Sequence, residues 1–365
     1  MNSDQQYMKL AIEMAKTTVG QTSPNPAVGS VIVKNNEVVG LGVHVKAGDP
    51  HAEINALQMA GDKATGGTIY VTLEPCSHYG KTPPCAQAII DAKLKRVVIG
   101  SDDPNPKVSG RGIKMLENAG IEVETNVLKA EADQLNTIFF HYMKTKTPYV
   151  FLKTAMSLDG KIATSTGESQ WITGEAARKD GHKYRHRSDA ILVGVQTVIK
   201  DNPKLTTRLE GDGENPIRIV LDTQLRTPIN SELIQNDEAP TWVITGSRIS
   251  PAQIQAFRAK EHVEIISLSS PAVDIPEVLR YLGEQEITSL LVEGGGTIAD
   301  AFVRAGKVDE LITYIAPKLL GGKDALTPVE GTGFQQLKDS LELEVLATEM
   351  VGEDIKVTAV PKGRS

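Results

Sequence analysis

A chain of 365 residues is long for one hydrophobic core and points to two domains. Its net charge of -7 and 4% aromatic content exclude a broad nucleic-acid-binding face, while leaving room for a local basic pocket that takes a phosphate. No run approaches the roughly 20 apolar residues that span a bilayer, and the opening MNSDQQYMKL lacks a signal-peptide pattern, so a cytoplasmic protein without membrane contact is expected.

In chain order, residues 3–16 read as a helix, with Ser3 and Gln6 at capping-box spacing and Tyr7, Leu10, Ala11 and Met14 on one face. Residues 28–33 and 37–42 are apolar runs joined at Asn35-Asn36, a hairpin pattern. A helical pattern follows at 51–60 and a β-rich run at 68–73. Pro84 opens a helix to about residue 92, and residues 96–100 read as a strand. Residues 112–118 read as helix, 121–127 as strand and 130–143 as helix, an alternation that indicates a three-layer α/β unit. The polar stretch 144–148 ends in proline and marks the boundary, giving expected domains 1–146 and 147–365.

A second α/β alternation begins there. Strands are predicted near 149–156, 190–194, 217–222, 241–245, 263–268, 289–293, 310–316, 342–348 and 354–360. Helical patterns fill 175–186, 251–260, 275–283 and 297–305. The last two strands are consecutive and predict an antiparallel hairpin at one edge of the sheet.

The most specific chemical signal is His51-Ala52-Glu53, then Pro75-Cys76, then Cys85. The chain has two cysteines, and in a reducing compartment they read as thiolates rather than a disulfide. His51, Cys76 and Cys85 supply one nitrogen and two sulfurs, the three protein ligands of a catalytic zinc site with one position open. Two thiolates already neutralise the metal charge, so a separate general base gains value, and Glu53 is the candidate. Two helical residues rotate direction by about 200°, so Glu53 does not duplicate the direction of His51. Cys85 and His51 also stand at predicted helix starts, which favour anionic sulfur. The zinc nucleobase-deaminase signature is H-x-E followed by P-C-x-x-C. Here eight residues separate the cysteines instead of two. A structural zinc site would need a fourth ligand, for which His78 is the only nearby residue.

In the second half, Val292-Glu-Gly-Gly-Gly-Thr297 follows a predicted strand and precedes a helix, a place where backbone N–H groups can approach a phosphate. Gly294, Gly296 and Ala299 fit a dinucleotide pattern, but a Rossmann fingerprint opens the first βα unit of its domain and this one comes near the end.

Several motifs carry a resemblance over nearly the whole chain. They are TSPNPAVG at 22–29, G-x-H-x-x-A-G-x-x-H-A-E at 42–53, TLEPCSHYGKTPPC at 72–85, D-P-N-P-x-V-S-G-x-G at 103–112, and SLDGKIAT-x-x-GESQWIT at 157–173. With these the chain resembles the bacterial bifunctional riboflavin-biosynthesis deaminase/reductase family, whose cysteine spacing it shares. The resemblance implies a cytidine-deaminase-like α/β/α domain and a dihydrofolate-reductase-like α/β domain. It implies zinc-dependent hydrolysis of an exocyclic amine on a diamino-ribosylaminopyrimidinone 5′-phosphate, then NADPH-dependent reduction of ribosyl to ribityl. It places Asn25, His44, His78, Lys81, Asp103, Asn105 and Ser109 around the deaminase substrate. In the reductase it places Lys153, Ser169, Arg185, Leu205, Arg208 and Glu293 at the substrate, with the arginines on its phosphate. Ala155, Trp171, Thr197, Asp201 and the run Gly294, Gly295, Gly296 and Thr297 fall to NADPH. Ser247 and Arg248 are candidates for its 2′-phosphate. The expected partner is a small phosphorylated pyrimidine, without nucleic acid, in a homo-oligomer. The alternative is a zinc deaminase of another base, nucleoside or tRNA with a C-terminal binding module; the acidic charge and the long cysteine gap argue against tRNA.

Overall fold

Strands that are apolar on both sides need cover on both sides, and each half of this chain supplies it with helices. The structure, a computed structural model, describes residues 3–77, 83–104, 109–209 and 213–363. It separates into two compact units, Met1–Lys146 and Thr147–Ser365. Among the described residues no helix is long and apolar enough to cross a membrane.

The first unit runs α1 (Ser3–Lys16), β1 (Gly29–Lys34), β2 (Glu37–Val43), α2 (Ala52–Ala60), β3 (Thr68–Leu73), α3 (Cys85–Asp91), β4 (Arg96–Ser101), α4 (Arg111–Asn118), β5 (Glu122–Glu124), α5 (Lys129–Leu135) and α6 (Thr137–Thr145). Its sheet has the order β2-β1-β3-β4-β5, antiparallel up to β3 and parallel beyond. Alternation along the strands sorts the core. Val31, Val33, Tyr70 and Val98 meet α1 and Ala132 of α5 on one face. Ile32, Ile69, Val71, Val97 and Ile99 meet α2, α3 and α4 on the other. The layers are therefore α/β/α. Two glycines set how closely α2 lies on the hairpin. A Cβ at Gly42 would stand 2.1 Å from the Ala52 carbonyl oxygen, and one at Gly40 would stand 2.3 Å from that of Ala56. That approach fixes the start of α2, which carries the H-A-E motif.

The second unit runs β6 (Tyr149–Ser157), α7 (Glu175–Arg187), β7 (Ala190–Gly194), α8 (Val195–Asp201), β8 (Ile217–Leu221), α9 (Glu232–Gln235), β9 (Thr241–Thr245), α10 (Pro251–Gln255), β10 (Val263–Ser267), α11 (Ile275–Glu284), β11 (Ser289–Val292), α12 (Gly296–Arg304), β12 (Glu310–Ala316), β13 (Leu343–Val351) and β14 (Asp354–Pro361). The sheet order is β10-β9-β8-β7-β11-β6-β12-β14-β13. It is parallel from β10 to β12, and β14 and β13 close it as the expected antiparallel edge. Ala190 and Leu192 pack toward α11 and α12, whereas Ile191 and Val193 pack toward α8 and α9. β11 is inserted between β7 and β6, so its carboxyl end opens at the middle of the sheet, where α/β folds place ligands.

Candidate active sites

In the first unit, two helix starts and one strand end bring three donors together. His51 is the residue before α2, Cys85 opens α3 after Pro84, and Cys76 follows β3. The His51 Nδ1 lies 3.3 Å from the Cys85 sulfur and 3.7 Å from the Cys76 sulfur. All three donor atoms fall within 4.8 Å of one another. A tetrahedral zinc with Zn–S near 2.3 Å and Zn–N near 2.0 Å needs N···S separations of about 3.6 Å, so this set fits the ion through Nδ1. The backbone N–H of Cys85 donates to the Cys76 sulfur at 3.3 Å, which steadies it as a thiolate. Hydrogen bonding from the Cys85 thiol is the chief reason that the Cys76 thiol is brought down to about 4. The Cys85 thiol is raised, by the same bond first and burial second. The pair thus shares one proton, which a thiophilic divalent cation displaces.

Glu53 is buried at 4% exposure in the first turn of α2. Burial, then the charge of Cys76, pushes its carboxyl up to about 7, against the opposing pull of His51. Beside it, His44 and His51 stack edge to face with ring centroids 5.3 Å apart. The His44 Nδ1 lies 3.2 Å from the Pro50 carbonyl oxygen, which can only accept, so Nδ1 carries the hydrogen. Its Nε2 therefore accepts from the Asn25 amide nitrogen at 3.1 Å. Burial lowers the His44 pKa, which suits this neutral form.

Two further residues carry this site, and the sequence did not single them out. Asn136 sits between α5 and α6, where its amide oxygen accepts from the Ala27 N–H at 2.9 Å and its amide nitrogen donates to the Ala27 carbonyl at 3.0 Å. This fixes the loop that bears Asn25. Glu74, two residues before Cys76, accepts from the backbone N–H groups of Gly110 at 2.9 Å and Gly112 at 3.0 Å, holding the start of α4 against the end of β3. The only sequence signal for Glu74 is its place in TLEPC. Asp103 is buried at 7% and Ser109 is exposed in the turn before α4. His78, Lys81 and Asn105 lie outside the described residues.

Among the described residues of the second unit, two cavities meet at Glu293, just past β11. One, of about 780 Å³, is bordered by Lys153, Trp171, Arg178, His182, Arg185 and Arg208. Arg185 gives Nε and Nη2 to the two oxygens of Glu293 at 2.9 and 2.8 Å and donates Nη1 to the Thr206 carbonyl at 3.1 Å. Its three nitrogens are thus engaged within the chain. Lys153 stands 3.9 Å from the same carboxylate. Burial raises the Glu293 carboxyl, but Arg185 and Lys153 outweigh it and hold the group down at about 2. Trp171 is 60% exposed and carries the Arg178 guanidinium 4.6 Å from its ring centroid.

The other cavity, of about 690 Å³, crosses the carboxyl ends of β11, β7 and β8 and contains Ser169, Thr197, Asp201 and Gly294 to Thr297. The three glycines differ in role. A Cβ at Gly294 would strike Ile298 at 2.6 Å, and one at Gly296 would strike the Thr327 carbonyl at 2.5 Å. A Cβ at Gly295 would meet nothing within 4 Å, so there the backbone is open to a ligand at the start of α12. Such a turn fits a pyrophosphate. Leu205 is placed in the apolar core at 3% exposure, with φ of 54°. Ala155 packs beside Ile312 and Tyr314. Neither these two residues nor Ser247 and Arg248 border either cavity.

Comparison with known proteins follows this division. The cytidine and deoxycytidylate deaminase zinc-binding region matches residues 1–101, and the RibD C-terminal domain matches residues 148–357. The riboflavin biosynthesis protein RibD of Bacillus amyloliquefaciens is 48% identical over 359 residues, which are 98% of this chain and 96% of that protein. That of Escherichia coli is 44% identical over 368 residues, covering 96% of this chain and 98% of its own. The Acinetobacter baumannii RibD structure, form 1, has a TM-score of 0.88 at 40% identity and covers 98% of this chain and 99% of that one. A diaminohydroxyphosphoribosylaminopyrimidine deaminase/5-amino-6-(5-phosphoribosylamino)uracil reductase from Thermotoga maritima has a TM-score of 0.87 at 37% identity and covers 98% of both chains.

Proposed function

The chain belongs to the bifunctional deaminase/reductase family of riboflavin biosynthesis, and from that premise we propose which of its residues carry the two reactions. It is a zinc-dependent deaminase and an NADPH-dependent reductase. We assign deamination to residues 1–146 and reduction to 147–365, in that order. The substrate class is the one in the name of the Thermotoga relative: a diamino-ribosylaminopyrimidinone 5′-phosphate loses its exocyclic amine as ammonia, and the ribosyl group of the product is reduced to ribityl.

His51, Cys76 and Cys85 would hold the zinc, which when bound would supply Lewis-acid activation of water. Glu53, buried in the first turn of α2, would take a proton from the attacking water and pass it to the departing amine. His44 turns the Asn25 amide nitrogen toward itself and so presents the Asn25 oxygen to a ring N–H of the pyrimidine. We retain Asp103 and Ser109, with His78, Lys81 and Asn105, as substrate contacts.

In the reductase, NADPH supplies the hydride. Gly295, Gly296 and Thr297 receive its pyrophosphate, while Ser169, Thr197 and Asp201 border its course. Glu293 lies where the cavities join, so it and Lys153 face the sugar carbon being reduced. Arg208 brings positive charge to the substrate phosphate, and Arg185 serves chiefly to orient Glu293. Leu205 and Ala155, which border neither cavity, receive no ligand contact, and Trp171 lines the first cavity. The chain acts as a homo-oligomer that joins a second copy through β13.

The observation that carries this reading is a buried Glu53 beside a His-Cys-Cys cluster of zinc dimensions. In zinc-loaded Glu53→Ala, ammonia release should fall by about 10²- to 10⁴-fold. Zinc content and NADPH oxidation on the deaminated substrate should stay unchanged. Ammonia release at the parental rate would remove Glu53 from the mechanism.

A further inference from the structure

NADPH and NADH differ only in a phosphate on the adenosine ribose, so an enzyme that uses NADPH needs positive charge at that one point. We propose that Arg226, supported by Lys200, reads the 2′-phosphate and sets the preference for NADPH; the inference rests on the second cavity being the dinucleotide site.

The layout of that cavity fixes where the 2′-phosphate falls. Glu293 borders both cavities, so the reacting nicotinamide end lies toward it. The pyrophosphate lies over the open backbone of Gly295 at the start of α12. The adenosine end then lies toward the far wall, which is formed by Leu221, Thr223, Gln224 and Arg226 after β8. β8 is two strands from β11 in the sheet order, a separation of about 10 Å. Lys200, at the end of α8, borders the same cavity. The acids of the cavity, Asp201, Glu293 and Glu330, stand on α8 or close to the glycine turn and the loop that packs on it, and none lies on the turn after β8.

The turn after β8 is built to present Arg226. The Leu225 N–H donates to the Asp222 carbonyl at 3.1 Å, and Leu225 takes φ of 54° with its side chain buried. That reversal sends Arg226 outward, half exposed. Asp222 stands at a strand end, where dinucleotide folds often keep an acid for the ribose 2′-hydroxyl. Here it does not serve that purpose. It is 1% exposed, and one oxygen accepts from the backbone N–H and the hydroxyl of Thr227 at 2.7 and 2.8 Å. Its other oxygen has no hydrogen-bond partner and faces the Arg226 Nε at 4.0 Å. The acid that would repel a 2′-phosphate is thus buried beneath the arginine and steadies it from below. The long ion pair leaves the outer face of the guanidinium for a phosphate, which it can meet with two parallel N–H groups.

The test uses the full-length, zinc-loaded chain and two small probes, 2′,5′-ADP and 5′-AMP, titrated by calorimetry. Arg226→Gln should weaken 2′,5′-ADP by on the order of tenfold or more and leave 5′-AMP unchanged. Lys200→Gln, on a different element, should have the same selective effect at smaller size. The dependence of 2′,5′-ADP binding on salt should also flatten in both variants. Equal losses for both probes, or no loss for either, would overturn the assignment of Arg226 while the nucleotide site itself stands. If the parent chain bound neither probe, the dinucleotide reading of the cavity would fall, and this inference with it.

Discussion

His182 shows how a neutral imidazole is held among cations. Its Nδ1 lies 3.3 Å from the Arg208 backbone nitrogen and its Nε2 lies 3.4 Å from the Arg208 Nε. A neutral ring offers one lone pair, so it accepts only one of these two N–H groups. Burial first, then repulsion from Arg185 and Arg208, brings its pKa down to about 4, against the pull of Glu293. The unfolded ring titrates near 6.5. Between those values the unfolded chain takes up a proton that the folded chain refuses. The stability tied to His182 is therefore complete above about pH 6.5 and is lost as pH falls toward 4. In His182→Asn the urea midpoint should drop less between pH 7 and pH 4.5 than in the parent. Parallel drops would mean that the ring titrates in the folded state much as it does in the unfolded one. His182 opens a basic run, 182–187, which from the sequence alone also admits a solvated helix face. What made it a cavity residue was the approach of Arg208 across 26 positions, and no local pattern records that.

At the scale of elements, Asn136 does what a long helix could not. The predicted helix over 130–143 breaks there into α5 and α6, and the freed amide pairs with both backbone groups of Ala27. Asn136→Ala would leave a buried N–H and a buried C=O without partners, each at about 1–3 kcal/mol. A loss of about 2–6 kcal/mol is expected, together with a raised KM for deamination, because Asn25 sits two residues away. Zinc content should not change. An unaltered KM would show that this anchor stabilises the loop without placing Asn25. Elements with strong periodicity were plain in the sequence: β3, β7, β9 and β12 match their predicted spans. α8 was missed because it follows β7 with no residue between, Gly194 both ending the strand and capping the helix. The 121–127 strand shortened to Glu122–Glu124, where only Val123 is partly buried, so little packing holds a longer one. The zinc set was legible because sulfur and imidazole at motif spacing have few other uses in a chain with two cysteines. The wall after β8 was not, since charge in a turn looks like any solvated loop.

At the scale of the molecule, β13 is an outer strand whose residues 344–350 are all exposed, with Val345, Leu346 and Met350 at 59%, 55% and 64%. Its unpaired backbone edge and apolar side chains suit an identical surface related by a two-fold axis. Sedimentation should give about twice the chain mass of 39.3 kDa, and Leu346→Glu with Met350→Glu should halve it. A parent chain that sediments as a single copy would rule the contact out. The clustering of Cys76 and Cys85 has a wider consequence. These two are every sulfhydryl the chain owns, and both lie in the first unit. Thiol-selective reagents therefore have one target in the molecule, and it is the metal site. A cell under thiol stress would lose the hydrolytic step while the reductase stayed intact but without its substrate, so the pathway would stall on its aminated intermediate rather than on its deaminated one.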